Sequence, residues 1–303
     1  MTHPATVLAF PGQGSLVPGA GEPWATHPAF AAVADVAEAT GVDVPALVLT
    51  GTSDELVATE NAQLATFALS LCILDAAGLA DQATLALGHS LGEYTALVAA
   101  GVLTRGDGAR LVAVRGAAMR DAAASAKGGL VAMLGGDEPL ATAACEAIDG
   151  AYVANLNGPG QVVLGGTAEA LDALSSRAKE LGFRRAIPLK VGGAFHTPLM
   201  APAAGVLEPA LAATSFGRGH AGVLANVDGR VHDDPAEWPD LLLRQLTSPV
   251  RFQDCVLALP SGCSIVECGA GGVLQGLIAR IRDDVDVVSV GVPDDLTRLG
   301  RAS

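Results

Sequence analysis

The stretch that decides the fold is Leu85–Leu97, LALGHSLGEYTAL. It is entered from the short apolar run Thr84–Leu87, which reads as a buried strand, and it leads into Glu93–Ala100, which reads as a helix. Between them lies Gly88-His89-Ser90-Leu91-Gly92, a G-x-S-x-G. Strand, tight turn and helix in that order belong to an α/β sheet. The glycines permit a sharp turn that lifts a serine hydroxyl to the carboxyl end of the strand. The start of the helix adds free N–H groups and positive dipole character, so the N–H of Leu91 suits an oxyanion. A chain with 37 glycines also makes such a pentapeptide by chance, and a serine before a helix is a common N-cap. The flanking strand and helix favour a nucleophile.

Working outward, Thr6–Phe10 ends at Pro11-Gly12 and reads as another buried strand. Thr52 and Glu55 fit a capping box. Asn61–Ala77 carries apolar residues at helical spacing, and Leu111–Ala124 continues helical. From Gly128 the character changes. Gly129–Leu134, Tyr152–Leu156, Val162–Leu164 and Arg185–Val191 read as strands, with helices over Glu138–Ile148 and Ala168–Leu181, the last ended by Gly182. The order β-α-β-β-α-β is the ferredoxin-like unit. Residues 127–193 are therefore expected to be a small subdomain inserted into a larger α/β domain, residues 1–126 and 194–303. In the last third, Ala221–Asn226 and Ser264–Cys268 read as strands and Gly272–Arg282 as a helix; the polar tail after Pro293 reads as loose.

At 303 residues the chain can bury about 75% of its unfolded surface without staples. Half the residues are hydrophobic but only 4% aromatic, which predicts closely packed helices of small residues. The formal charge of −14 argues against nucleic acid and anionic membranes as partners. Five cysteines without a C-x-x-C read as free thiols of a reducing compartment. The six histidines are scattered, with no H-E-x-x-H, so no metal site is expected. No apolar run spans a membrane and the N-terminus is not a secretory signal, so a cytoplasmic protein is expected.

A serine needs a base. His89 is adjacent to Ser90, but successive side chains diverge at a turn. His3, His27, His220 and His232 lie in segments without a supporting pattern. His196 sits in Gly192-Gly193-Ala194-Phe195-His196-Thr197-Pro198, just after the inserted unit. On the residues alone it is equally a structural loop histidine. Arg115, taken alone, reads as an exposed helix arginine.

Six stretches together resemble the malonyl-CoA:acyl carrier protein transacylase family, the acyltransferases of fatty acid synthesis related to those of polyketide synthases. They are PGQGS (Pro11–Ser15), GHSLGEYTALVAAGVL (Gly88–Leu103), VRGAAM (Val114–Met119), NLNGPGQVVLGG (Asn155–Gly166), GAFHTPLM (Gly193–Met200) and QLTSPVRF (Gln245–Phe252), in family order over nearly the whole chain. The resemblance implies a hydrolase-like α/β domain carrying a ferredoxin-like insertion. It implies Ser90 as nucleophile, His196 as base and acid, and the N–H groups of Gln13 and Leu91 as the oxyanion hole. It also implies a backbone carbonyl at Gln245 orienting His196, and Arg115, Phe195, Gln63 and Asn157 at the acyl group. Arg115 would bind the free carboxylate of malonate, and Phe195 would crowd an α-methyl branch.

The implied reaction is transfer of malonyl from malonyl-CoA to the phosphopantetheine thiol of an acyl carrier protein, with coenzyme A as a substrate and no cofactor. Arg177, Lys179, Arg184, Arg185 and Lys190 stand either as a docking patch for an acidic carrier or as a solvated charged face. Leu16, Arg120, Leu64 and the run Gly269–Leu277 depart from the family pattern. The departures leave open a discrete acyltransferase of a polyketide pathway with another acyl group or a carrier-bound donor. A Ser–His thioester hydrolase is the further alternative, and a non-catalytic carrier-binding module is disfavoured because Ser90, His196 and Arg115 are all present.

Overall fold

Ten strands divide between two sheets in the computed structural model, which describes residues 5–301; His3 lies outside the described residues. The strands are β1 (Thr6–Phe10), β2 (Leu85–Gly88), β3 (Gly128–Leu134), β4 (Ala151–Gly158), β5 (Gln161–Thr167), β6 (Arg185–Pro188), β7 (Gly222–Leu224), β8 (Val231–His232), β9 (Ser264–Cys268) and β10 (Asp286–Val290). The larger sheet has the order β10-β9-β1-β2-β7-β8. It is parallel except for β8, which pairs antiparallel with β7. Val7, Leu8, Ala9 and Phe10 of β1 are all fully buried, as a central parallel strand covered on both faces requires.

The smaller sheet, β4-β5-β3-β6, is wholly antiparallel and comes from one continuous stretch. Helices Glu138–Glu146 and Ala168–Ser176 connect its strands in the order β-α-β-β-α-β. Hydrogen bonds tie the smaller sheet to the segment before helix Phe252–Leu257, where Asn155 bridges Val250. The N–H of Leu156 donates to the Val250 carbonyl and that of Val250 to the Ala154 carbonyl, each at 2.9 Å.

Two long helices stack beside the larger sheet, the first of them against β9. Thr59–Ala77 is buried almost all round and packs against Arg105–Ser125. The latter begins earlier than its apolar pattern, because Thr104 caps it by accepting the N–H of Asp107. The Thr52–Glu55 capping box forms with both of its bonds.

Other elements differ from expectation. The helix from Ala168 ends at Ser176 and reaches Gly182 through turns. The strand from Arg185 ends at Pro188, and one further backbone bond to β3 follows, from the Leu189 N–H to the Leu130 carbonyl at 2.9 Å. The tail is not loose: Pro293–Arg301 runs as a 3-10 helix. Leu296 packs on the core, and the Asp295 carboxylate accepts the N–H groups of Gly291 and Val292 at 3.0 and 3.1 Å. The polar residues that suggested solvent are in part its fastenings. Helices Ala31–Thr40 and Val44–Thr50 and strand β10 lacked a clear signal in the sequence.

Candidate active site

The turn after β2 is as tight as G-x-S-x-G allows. A Cβ on Gly88 would lie 1.9 Å from the backbone carbon of Gly92, and one on Gly92 would lie 2.0 Å from the Phe10 carbonyl oxygen. Neither position admits a side chain. Ser90, between them, has φ +54°, and His196 has φ +60°. Among the described residues these are the only non-glycine residues with positive φ. Such conformations cost about 1–3 kcal/mol each and persist where the surroundings hold them.

The two meet. Ser90 Oγ donates to His196 Nε2 at 2.6 Å, and His196 Nδ1 donates to the backbone carbonyl of Gln245 at 2.8 Å. That second bond fixes the tautomer that leaves Nε2 as the acceptor. No carboxylate takes the third place. Burial first, and then the Arg115 charge, hold His196 down to about 3.

Arg115, midway along helix Arg105–Ser125, is fully buried rather than exposed. Its Nη2 donates to Ser90 Oγ at 3.0 Å and to Gln245 Oε1 at 2.9 Å, and Nη1 donates to Gln63 Oε1 at 2.6 Å. The guanidinium carbon stands 5.4 Å from the centre of the Tyr94 ring. Its Nε is buried without a partner. Burial lowers its proton affinity, against the pull of Tyr94 and Glu93.

Behind the serine, Asn226 Oδ1 accepts the Ser90 N–H and its Nδ2 donates to the Gly88 carbonyl, both at 2.7 Å. Gln245 Nε2 donates to the Ser90 carbonyl at 2.9 Å and also to Glu93 Oε2. Glu93 Oε1 accepts the backbone N–H of Asn226 at 3.2 Å. Burial raises Glu93 to about 7, against the donors of Gln245 and Asn226 and the charge of Arg115.

A cavity of about 120 Å³ opens on Ser90 and His196, lined among others by Gly12, Gln13, Met119, Asn155 and Phe195. A second cavity of about 280 Å³ shares Gln13 and Val191 with it and is lined also by Leu16, Val57 and Lys190. Gln63 Nε2 donates to Gln13 Oε1 at 3.2 Å and to the Met119 sulfur at 3.3 Å. Ser90, His196, Arg115, Gln63 and Gln245 thus form one hydrogen-bonded cluster, with Gln13 linked through Gln63, Leu91 next along the chain and Phe195 on the cavity wall.

Asn157 stands apart. Its Oδ1 accepts from His89 Nε2 at 2.8 Å, so it supports the ring beside the serine instead of lining the cavity. Asn155, two residues earlier on a strand whose register shifts at this point, lines the wall in its place, and Asn155 Oδ1 is buried without a partner. The stretch NLNG named both asparagines and gave no means to choose between them.

A family model described as "Acyl transferase domain" matches residues 7–285. The chain belongs to the acyl transferase domain family.

Among curated members, the malonyl CoA-acyl carrier protein transacylase of Bacillus subtilis is 37% identical over 298 residues, covering 95% of this chain and 93% of its own. The crystal structure of the malonyl-CoA:acyl carrier protein transacylase of Xanthomonas oryzae pv. oryzae superposes with a TM-score of 0.92 at 39% identity. It covers 100% of this chain and 99% of that one. A malonyl-transacylase solved in complex with a type II polyketide acyl-carrier protein gives 0.91 at 32% identity, covering 99% and 100%.

Among the described residues no group of three or more His, Cys, Asp or Glu side chains is arranged to hold a metal ion, and no helix is long and apolar enough to cross a membrane. The five cysteines are free; Cys145 is half-buried and the others are buried. Sequence reasoning missed Glu93, Asn226 and Asn155. Glu93 lay in plain view beside the serine, yet a glutamate in the first turn of a helix is ordinarily solvated.

Proposed function

We propose that this acyl transferase moves a malonyl group from coenzyme A to the phosphopantetheine thiol of an acyl carrier protein through an ester on Ser90. The observation that carries the proposal is Arg115. It is a fully buried cation whose hydrogen-bond partners are all neutral, with one nitrogen 3.0 Å from the Ser90 oxygen. A buried charge whose bonded partners are all neutral is costly, and Glu93, the opposite charge nearby, makes no hydrogen bond to it. A ligand carboxylate bound by both arms of the guanidinium offsets that cost, and malonyl carries one where acetyl does not. The names of the relatives point the same way.

His196 Nε2 takes the Ser90 proton as Oγ attacks the thioester carbon. The N–H groups of Gln13 and Leu91 hold the oxyanion. The carbon–sulfur bond breaks and the leaving thiolate takes the proton back from His196. The carrier thiol then gives its proton to His196, attacks the ester carbon and frees Ser90. Both thioesters are alike in energy, so the transfer runs either way. These steps call on no cofactor.

A carbonyl behind His196, in place of a carboxylate, stabilises the imidazolium little and speeds its discharge. The second cavity gives the thioester arm a path past Lys190, and Asn155 Oδ1 offers an acceptor to an N–H on that arm. Phe195 closes the wall against a branched acyl group.

An acidic carrier needs local positive charge. Arg177 is answered by Glu180 at 2.6 Å, whereas Lys179, Arg184, Arg185 and Lys190 have no ion-pair partner among the described residues. Arg185 lies on β6, the edge of the smaller sheet. We assign the docking charge to these four.

Intact mass of the protein mixed with malonyl-CoA tests the proposal, alongside Ser90→Ala. The expected result is a malonyl adduct on the wild type alone, discharged by added carrier protein. An adduct lost to water as fast without carrier would make the chain a hydrolase.

A further inference from the structure

Glu93 is a carboxylate 1% exposed at the start of the helix that follows the nucleophile, and the chemistry above gives it no task. It touches none of the reacting groups. Its two partners touch all of them. Through Asn226 it reaches the Gly88 carbonyl and the Ser90 N–H. Through Gln245 it reaches the Ser90 carbonyl, Arg115 and, by way of the backbone oxygen, His196 Nδ1.

The Gln245 amide has a direction that matters. Its NH2 faces two acceptors, the Ser90 carbonyl and Glu93, while its oxygen faces the Arg115 guanidinium. Turned over, the amide would set N–H against the guanidinium and oxygen against a carbonyl. In its carboxylate form Glu93 only accepts, so it takes the NH2 end alone, beside the Ser90 carbonyl that does the same.

We propose that Glu93 is a positioning residue that fixes the direction of the Gln245 amide and thereby holds Arg115 in the placement that selects a malonyl group; this rests on the transferase function proposed above. Asn226 is drawn to the elbow by the same carboxylate. One buried charge thus ties the acyl-selecting arginine to the strained serine.

Glu93→Gln is the variant of choice, because it keeps shape and removes the second acceptor. Both partners at that site are donors, so one N–H must then face another. Malonyl loading from malonyl-CoA is expected to fall by about tenfold or more, the worth of a hydrogen bond to a charged group. Acetyl loading from acetyl-CoA, which does not use Arg115, is expected to change much less. The readout is the ratio of the two rates by quenched-flow mass spectrometry.

Gln245→Met removes the amide but keeps the backbone carbonyl that receives His196. It is expected to lower the same ratio, and the double variant to lose nothing further. Equal loss of both rates, an unchanged ratio, or additive losses in the double variant would overturn the proposal. Should Glu93→Gln fail to fold, Gln245→Met decides it, and an unchanged ratio there overturns it. A wild type that takes no malonyl group overturns the transferase function and this proposal together. Loss confined to the variants' ratio supports both.

Discussion

Lowering the pH from about 8 to about 5.5 tests what burial does to His196. A histidine of ordinary affinity is only about one-tenth neutral at the lower value, so a base of that kind would lose about tenfold in rate. His196 is held down to about 3, by burial first and by the Arg115 charge second, and its Nδ1 meets a neutral carbonyl. Below its usual range it therefore stays an acceptor, so His196 should add no fall in loading rate between about pH 8 and about pH 5.5, and the Glu93→Gln profile should be nearly flat there. The malonyl carboxylate remains ionised over that interval, since ordinary carboxylates titrate near pH 4. Glu93, raised to about 7, titrates inside the window. The profile is therefore taken on the wild type and on Glu93→Gln, by single-turnover mass spectrometry at saturating malonyl-CoA. A tenfold fall centred near pH 6.5 that survives in Glu93→Gln would belong to His196 and would refute the effect assigned to burial.

Stability should respond to the same groups. His89 and His196 are both held below their ordinary affinity, so below about pH 6.5 the unfolded chain takes up protons that the folded one refuses. Glu93, raised to about 7, acts in the opposite sense, so the test is the difference: acidification from about pH 7.5 to about pH 5.5 should cost the wild type more melting temperature than His196→Ala, and an equal change in the two would count against the assignment. Gly88→Ala should unfold the protein or cost more than about 4 kcal/mol in denaturant titration, because its Cβ would lie 1.9 Å from a backbone carbon. Phe195→Ala should raise methylmalonyl loading relative to malonyl and cost about 3–5 kcal/mol of stability, since the ring is 3% exposed. Arg185→Glu should raise the KM for the carrier severalfold at low salt and much less at high salt; equal effects at both would remove that residue from the docking surface.

Periodicity and turn chemistry made much of this fold legible. β1, β2 and β9 are apolar runs closed by turn residues, and the βαββαβ order showed in alternating strand and helix patterns. The tail did not read, because its anchors are single contacts, such as the Asp295 carboxylate accepting the N–H groups of Gly291 and Val292; the early helix Ala31–Thr40 buries only Ala32, Val33 and Val36, too few apolar positions among alanines to stand out. In the site, Ser90 stood out by its glycines and His196 by its loop and the family pattern. Arg115 could not be read from its helix, since nothing local says that a lone arginine points inward. Glu93 and Asn226 are polar residues whose value comes from being buried beside each other, 133 positions apart. Such pairings are properties of packing and leave no spacing to read.

The seam along the smaller sheet has a mechanical consequence. Gly12, Gln13 and Ser90 come from the larger sheet's loops, and Leu130 and Asn155 from the smaller sheet's strands, so the cavity at Ser90 has one wall in each body. Where the bodies meet, Asn155 bridges Val250, with backbone hydrogen bonds on either side. A clamshell motion would have to break that ladder beside the chamber. Entry to the cavity then falls to side-chain movement, and the 2.6 Å contact between Ser90 and His196 is left undisturbed.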